Sequence, residues 1–277
     1  MTQFFSKSRT ARMVALSVTL GVFGALVSQL FMILIEFATR LFLGELAGYQ
    51  PATTALEGGL EARSGAFGLY LIPLATTIGG LISGLLVCRF APEAEGHGTD
   101  AAIRSYHRLG GSIRPRVPLV KALASAATIG SGGSAGREGP IAQIAAGLGS
   151  FIGTKLKLSV PDRRVVMLTG IAAGISASFK SPLGAALFTV EVLYGGLEFE
   201  TGVLAFCVIA SSVAYAVNGF FSGWIPIFQI PPDLAFTRST DLFWFAMLGV
   251  ICGISGSLLP TLFYRFNQYF KELSIYP

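Results

Sequence analysis

A chain of 277 residues that is 52% hydrophobic and only 13% charged is too poor in charge for an ordinary soluble domain, which carries about 25%. With a mean hydropathy of +0.66, it reads as an integral membrane protein. The net charge of +5 is not the footprint of a nucleic-acid partner, because the basic residues concentrate in short loops between apolar runs, where they set membrane topology.

Lys7, Arg9 and Arg12 precede an uncharged stretch, 13–35, that continues amphipathically to about Leu46. It is too long for the apolar core of a signal peptide and long enough to span a bilayer with tilt. The basic residues before it predict a cytoplasmic N-terminus; the membrane is expected to be a prokaryotic plasma (inner) membrane. The loop 46–64, with Glu57, Glu61 and Arg63, reads as the outer side. Residues 64–88 form a second uncharged span that returns at Arg89.

The pattern then changes. Residues 89–121 are polar and basic, and include His97, His107, Arg104, Arg108, Arg114, Arg116 and Lys121. Thr99 or Asp100 is placed to cap a short helix reaching Arg108. Uncharged runs of 15 residues (122–136), 14 (141–154), 15 (165–179) and ten (181–190) follow. A simple span needs about 20 residues. Consecutive short runs broken by glycine predict interrupted or re-entrant helices whose ends point at a mid-membrane site. The long run 201–232 predicts a helix to about Val217, then an interfacial loop with Trp224, Pro226, Pro231 and Pro232. A last span is expected at 242–264. Cys88, Cys207 and Cys252 lie in apolar runs and read as packing residues, and no metal-ligand spacing occurs.

Within the broken region, residues 130–140 read Gly-Ser-Gly-Gly-Ser-Ala-Gly-Arg-Glu-Gly-Pro. A carboxylate beside a proline at a helix start sits at unpaired N–H groups and the positive end of the helix dipole. Irregular backbone at membrane depth is tolerated only where it is buried in protein or lines a cavity. An ionisable residue there marks a functional site.

Gly136-Arg137-Glu138-Gly139-Pro140 resembles the hallmark motif of the CLC family of chloride channels and chloride/proton exchangers. Gly96-His97-Gly98 stands where that family usually has Gly-Ser-Gly-Ile-Pro. Pro118-Leu119-Val120-Lys121 resembles the segment that opens the helix before the hallmark. Gly170-Ile171-Ala172-Ala173-Gly174, Phe179-Lys180-Ser181-Pro182-Leu183 and Leu187-Phe188-Thr189-Val190-Glu191 follow in family order.

The resemblance covers about 13–272. It implies an all-α membrane protein of two inverted repeats, with tilted, broken and re-entrant helices, and a homodimer with two separate pores. On this reading 1–12 is a cytoplasmic N-terminus and 13–237 the first repeat. Residues 238–277 hold the first helix of the second repeat, so the chain is expected to be a truncation. Dimer contacts are expected near 181–190 and 201–217. The implied function is transport of chloride or a similar anion across the lipid bilayer through a glutamate-gated pore of the voltage-gated channel type. Chloride/proton antiport is the alternative. No enzyme activity, cofactor or metal is implied, and chloride is the transported ligand.

The resemblance also implies the site. Glu138 is the gate: its carboxylate takes the place of an anion until protonation or competing chloride lets it swing away. The anion-binding set is Gly96, His97, Gly98, Gly136, Arg137, Glu138, Gly139 and Pro140. Within it the glycines let N–H groups face the anion. A full charge would hold an anion too tightly for conduction, so Arg137 reads as orienting the loop. His97 replaces the usual serine and can both donate N–H and titrate near neutrality. It also reads as a turn residue in which only the backbone matters. Val192 stands where the family's exchangers carry an inner proton-transfer glutamate, which tilts the reading toward a channel, or an exchanger with another proton route. Glu191 reads as a structural glutamate in the core. Lys121 and Lys180 read as snorkelling or interface residues.

Two rivals come from other classes. Gly132-Gly133-Ser134-Ala135-Gly136 fits a nucleophile pattern, but its only candidate bases are His97 and His107, upstream in a basic loop. A non-transporting membrane assembly subunit is the other.

Overall fold

The computed structural model describes residues 2–50, 63–65, 68–194, 201–225, 227 and 238–272. Its chain divides into two compact units, Met1–Gln229 and Ile230–Pro277.

The first unit opens with α1, Thr2–Thr39, which widens into a π-helical stretch, Arg40–Leu46, and stops at Gly48 in a left-handed conformation (φ 65°). A two-residue antiparallel pair, β1 (Tyr49–Gln50) with β2 (Arg63–Ser64), ties the next loop. Then come α2 (Gly68–Phe90), a single 3₁₀ turn (Pro92–Ala94), α3 (Thr99–Arg108) and α4 (Arg116–Gly130). They are followed by α5 (Glu138–Lys155), α6 (Val160–Phe179), α7 (Pro182–Tyr194) and α8 (Thr201–Ser222). The expected short helices are therefore present. Among the described residues, four stretches are long and apolar enough to cross a membrane: Arg9–Leu46, Tyr70–Phe90, Gly202–Ser222 and Asp241–Phe270.

The short runs have a physical reason. Helices α5 and α6 pack on each other more extensively than any other pair and are buried along most of their length. A helix surrounded by protein need not match the hydrocarbon thickness. Small residues bring the two backbones together: a Cβ at Gly149 would strike the Val166 carbonyl, and one at Gly170 the Ala145 carbonyl.

Helices α1, α6 and α8 form a second close-packed set through Ala25, Ala173, Ala177, Ala210 and Ala214. Polar side chains stitch it internally. Ser28 Oγ meets Ser178 Oγ at 2.8 Å, Ser176 Oγ donates to the Ser211 carbonyl at 2.6 Å, and Gln29 Nε2 donates to Asn218 Oδ1. At one end of this set, buried Asp162 accepts from Arg9 Nε and Arg12 Nη2, each at 2.8 Å. Asp162 also belongs to the start of α6, where its N–H donates to the capping Ser159 Oγ.

Two expectations are corrected at the opposite end. Helix α8 runs on past Val217 to Ser222 because Asn218 is buried against Gln29, and Gly223 (φ 69°) stops it. Lys180 does not snorkel. It sits in a left-handed conformation at the end of α6, and its Nζ donates to the carbonyls of Ser222, Gly223 and Ile225 at 3.0, 3.1 and 3.0 Å. It thus caps α8, whose last carbonyls lack helical partners. Trp224 stands edge-on to Tyr215 and Phe220 and remains exposed. Pro226, Pro231 and Pro232 lie outside the described residues. Cys207 is buried as expected, whereas Cys88 and Cys252 are exposed.

The second unit holds α9, Asp241–Glu272, which extends the expected 242–264 span and carries Pro260 inside it. Proline removes one helical hydrogen bond there.

Asp162→Asn should lower unfolding stability by about 1–3 kcal/mol by weakening both charge-assisted bonds to α1. Thermal unfolding of the detergent-purified protein measures it, and an unchanged transition would show that the two arginines contribute nothing.

Candidate anion-binding site

The site begins where α4 stops. The Gly133 N–H donates to the Thr128 carbonyl at 2.9 Å and the Gly132 N–H to the Ile129 carbonyl at 3.1 Å, with Gly132 at φ 90°. These are the two bonds of a Schellman C-cap, which needs glycine at its left-handed position. Residues 131–137 then run without helix until Glu138 opens α5. The first helical bond of α5 runs from the Ile141 N–H to the Arg137 carbonyl, 3.0 Å, and no side chain caps it. The N–H groups of Glu138 and Gly139 therefore face the helix's positive end, and Pro140 contributes none.

Glu138 is exposed, and its carboxylate folds back over Gly136, where any Cβ would collide with Oε2. Arg137 turns the other way. Its guanidinium carbon lies 5.1 Å from the Phe179 ring centroid, and Nη1 is 3.8 Å from Met32 Sδ. It ties the loop to Met32 of α1 and Phe179 of α6.

The second predicted element meets the first. Gly96 (φ 80°) and Gly98 (φ 101°) bracket His97 in a turn, and the His97 carbonyl lies against Gly139 with no room for a Cβ there. In return, a Cβ at Gly98 would lie 2.5 Å from the Gly139 carbonyl oxygen. Helix α3 starts at Thr99, with Gly98 as its N-cap and no capping side chain, so neither Thr99 nor Asp100 caps it. Glycine holds that position because the turn is left-handed and pressed on α5. His97 itself is exposed.

Lys121 is another correction. It is 4% exposed, and Nζ donates to the carbonyls of Ala94 at 2.9 Å and Gly96 at 2.5 Å. A buried ammonium is tolerated when it is hydrogen-bonded, and here it grips the turn that carries His97. Gln143, which the sequence reading missed, is 1% exposed and donates Nε2 to the Glu93 carbonyl at 2.9 Å. Its signal was a lone amide in the uncharged run 141–154. Glu93 pairs with Arg114. Burial raises the pKa of Glu93, but the hydrogen bond from Arg114, a backbone bond and the charges of Arg114 and Arg116 outweigh it, so the carboxyl titrates below its ordinary range.

Val192 lies on α7 and lines a small cavity with Thr99, Ala142, Ile171 and Thr189. Glu191 is exposed, not buried in the core, because successive helix residues point about 100° apart. Ser134 is exposed in the loop, while His107 Nε2 contacts the Leu193 carbonyl at 2.8 Å and its ring packs on Tyr106.

Solved structures share this architecture. A slow cyanobacterial Cl⁻/H⁺ antiporter matches with a TM-score of 0.73 and 19% identity, over 95% of this chain and 59% of that one. A CLC-type fluoride/proton antiporter matches with a TM-score of 0.75 and 20% identity, over 95% and 60%. The fold is an all-α membrane fold of the CLC type. The family model described as voltage gated chloride channel matches residues 79–277, and the chain belongs to that family. A putative chloride channel protein ClcB-like of Ralstonia nicotianae is 28% identical over 82% of this chain and 53% of its own length. The H(+)/Cl(-) exchange transporters ClcA of Yersinia pestis and Salmonella arizonae are 30% and 31% identical, over 74% and 73% of this chain and 43% of their own lengths. The chain thus spans about half the length of the curated relatives it matches.

Gly98→Ala should destabilise the protein by about 1–3 kcal/mol, since it forces a left-handed alanine against the Gly139 carbonyl. Thermal unfolding measures it, and a neutral result would mean that the turn can lift away from α5. A second outcome concerns acid. Glu93 has a depressed folded-state pKa, so its contribution is present above the ordinary carboxylate range and is lost as pH falls through the lower folded value. Glu93→Gln should flatten the acid limb of stability against pH, and an identical limb in variant and wild type would remove Glu93 from it.

Proposed function

We propose that the chain carries one side of an anion pathway in a protein that moves chloride or a similar anion across the membrane in exchange for protons. Glu138 is the gate, and the backbone of Gly96–Gly98 and Gly136–Pro140 forms the anion-facing surface. One observation carries the reading: an exposed carboxylate at the uncapped start of α5, with the His97–Gly98 backbone against Gly139. A bare helix N-terminus attracts anions through partial charges, and conduction requires that such binding stay weak. The carboxylate competes for the same place, and protonation removes its charge, which links anion passage to pH.

The sequence alone favoured a channel because of Val192. The names of the ClcA relatives and of the two solved structures favour exchange, against one relative named as a channel, and exchange is the reading adopted. The basic residues ahead of the first uncharged stretch favour a cytoplasmic N-terminus, and the family resemblance favours a first repeat spanning 13–237 with 238–277 opening the second. For the expected homodimer, α7 offers an exposed apolar face of Leu183, Leu187 and Phe188, whereas α8 packs largely on α1 and α6. The partners are therefore an anion, the bilayer and, through α7, a second copy.

Chloride binding by calorimetry is read first, then chloride and proton movement together from loaded liposomes. In a complete protein of this family the wild type is expected to move protons against chloride, and the change corresponding to Glu138→Gln to lose the proton movement. Unchanged pH dependence in Glu138→Gln would overturn the gate. Chloride efflux without protons in the wild type would return the channel reading that Val192 supports. Absence of binding and flux in this chain, alongside flux from a complete homologue, would return the non-transporting assembly subunit.

A further inference from the structure

We propose that Lys121 and Gln143 are positioning residues that set which anions the site prefers, by holding the Gly96–Gly98 turn at a fixed separation from the start of α5. The inference rests on the anion-site reading above.

Both side chains are almost fully buried, and they enter from different helices, α4 and α5. Between them they hold the carbonyls of Glu93, Ala94 and Gly96, all on the segment that leads into His97. The bond to Gly96 has a directional consequence. The carbonyl of Gly96 and the N–H of His97 belong to one planar trans peptide and point opposite ways. Drawing that carbonyl onto Lys121 aims the His97 N–H away from α4. On the far side of the turn, the His97 carbonyl and Gly98 stop against Gly139. Gln143 adds the lateral constraint: a Cβ at Gly98 would lie 3.2 Å from its own Cβ. The turn is thus drawn from one side and blocked on the other. Its spacing from the N–H groups of Glu138 and Gly139 is set by Lys121 and Gln143, neither of which is placed to touch the anion.

A buried lysine could also act through charge alone, and the two roles differ in what they predict. Charge acting at a distance strengthens all monovalent anions alike. Spacing discriminates by size and shape.

The test is calorimetric binding of chloride, nitrate and fluoride by the full chain in detergent, comparing wild type with Lys121→Met, Lys121→Arg and Gln143→Leu. Lys121→Met should change the chloride-to-nitrate affinity ratio roughly tenfold, the scale of one lost bond to a charged group, and Gln143→Leu roughly fivefold, the scale of one lost neutral bond. Lys121→Arg, which keeps donors, should change it less. If Lys121→Met weakens all three anions by one factor while Gln143→Leu leaves the ratio untouched, the positioning role is overturned. Should Lys121→Met fail to fold, Gln143→Leu and Gln143→Asn decide by the same ratio. Absence of any anion binding by the wild type would overturn the transport reading itself, which is a different result from an unchanged ratio in a chain that binds.

Discussion

The structure depends on a contact in which two backbones meet with no side chain between them. The His97–Gly98 peptide lies against Gly139, and neither Gly98 nor Gly139 has space for even a methyl group. That approach fixes where α3 begins, because the chain leaves the turn at Gly98 directly into helix. It fixes where α5 begins as well, and so where Glu138 stands. The supporting elements then follow. The end of α4 must be sharp, which Gly132 supplies, and the turn must be held from behind, which Lys121 and Gln143 do.

Several charges among the described residues are used for fastening. Asp162 takes two arginines from α1, Lys180 closes the end of α8, Arg137 lies over Phe179, and Lys121 is buried on carbonyls. Each group is an ion whose transfer out of water is costly unless it is partnered, and each has partners that share the cost. Glu138 differs. It is exposed, at a helix terminus, with its carboxylate over a glycine. In the proposed function it is the member whose charge is meant to change.

Much of this was legible before any coordinates. The broken helices followed from apolar runs too short to span. The start of α5 at Glu138 followed from a carboxylate placed beside glycine and proline. The juxtaposition of Gly96-His97-Gly98 with Gly136–Pro140 followed only from the family resemblance, because nothing local in either stretch specifies the other. What stayed hidden were the partners of single polar residues. Lys121 and Lys180 read as snorkelling because a long cation at the edge of an apolar run has the same pattern whether its head finds water or a carbonyl. Asp162 carried a usable sign, since Ser159 stands three residues before it as a helix cap with an acid follows its cap, but that pattern does not foretell two arginines from the distant α1. Gln143 had the weakest sign of all, one amide among alanines and isoleucines. The cap of α3 was misassigned because side-chain capping preferences favour threonine and aspartate, and only the crowding at Gly139 reveals why glycine occupies the position.

The anchoring of Arg137 has a consequence for time. With the Arg137 guanidinium on Phe179 and the backbone after Glu138 pressed at Gly139 by the turn, little is left to move around the carboxyl except the carboxyl itself. Rotamer changes of exposed side chains take picoseconds to nanoseconds, whereas rigid-body helix motions take microseconds to milliseconds. If Glu138 is the gate of the proposed function, so stiff a mounting puts its movement on the faster clock, with its pace set by how often a proton or an anion arrives.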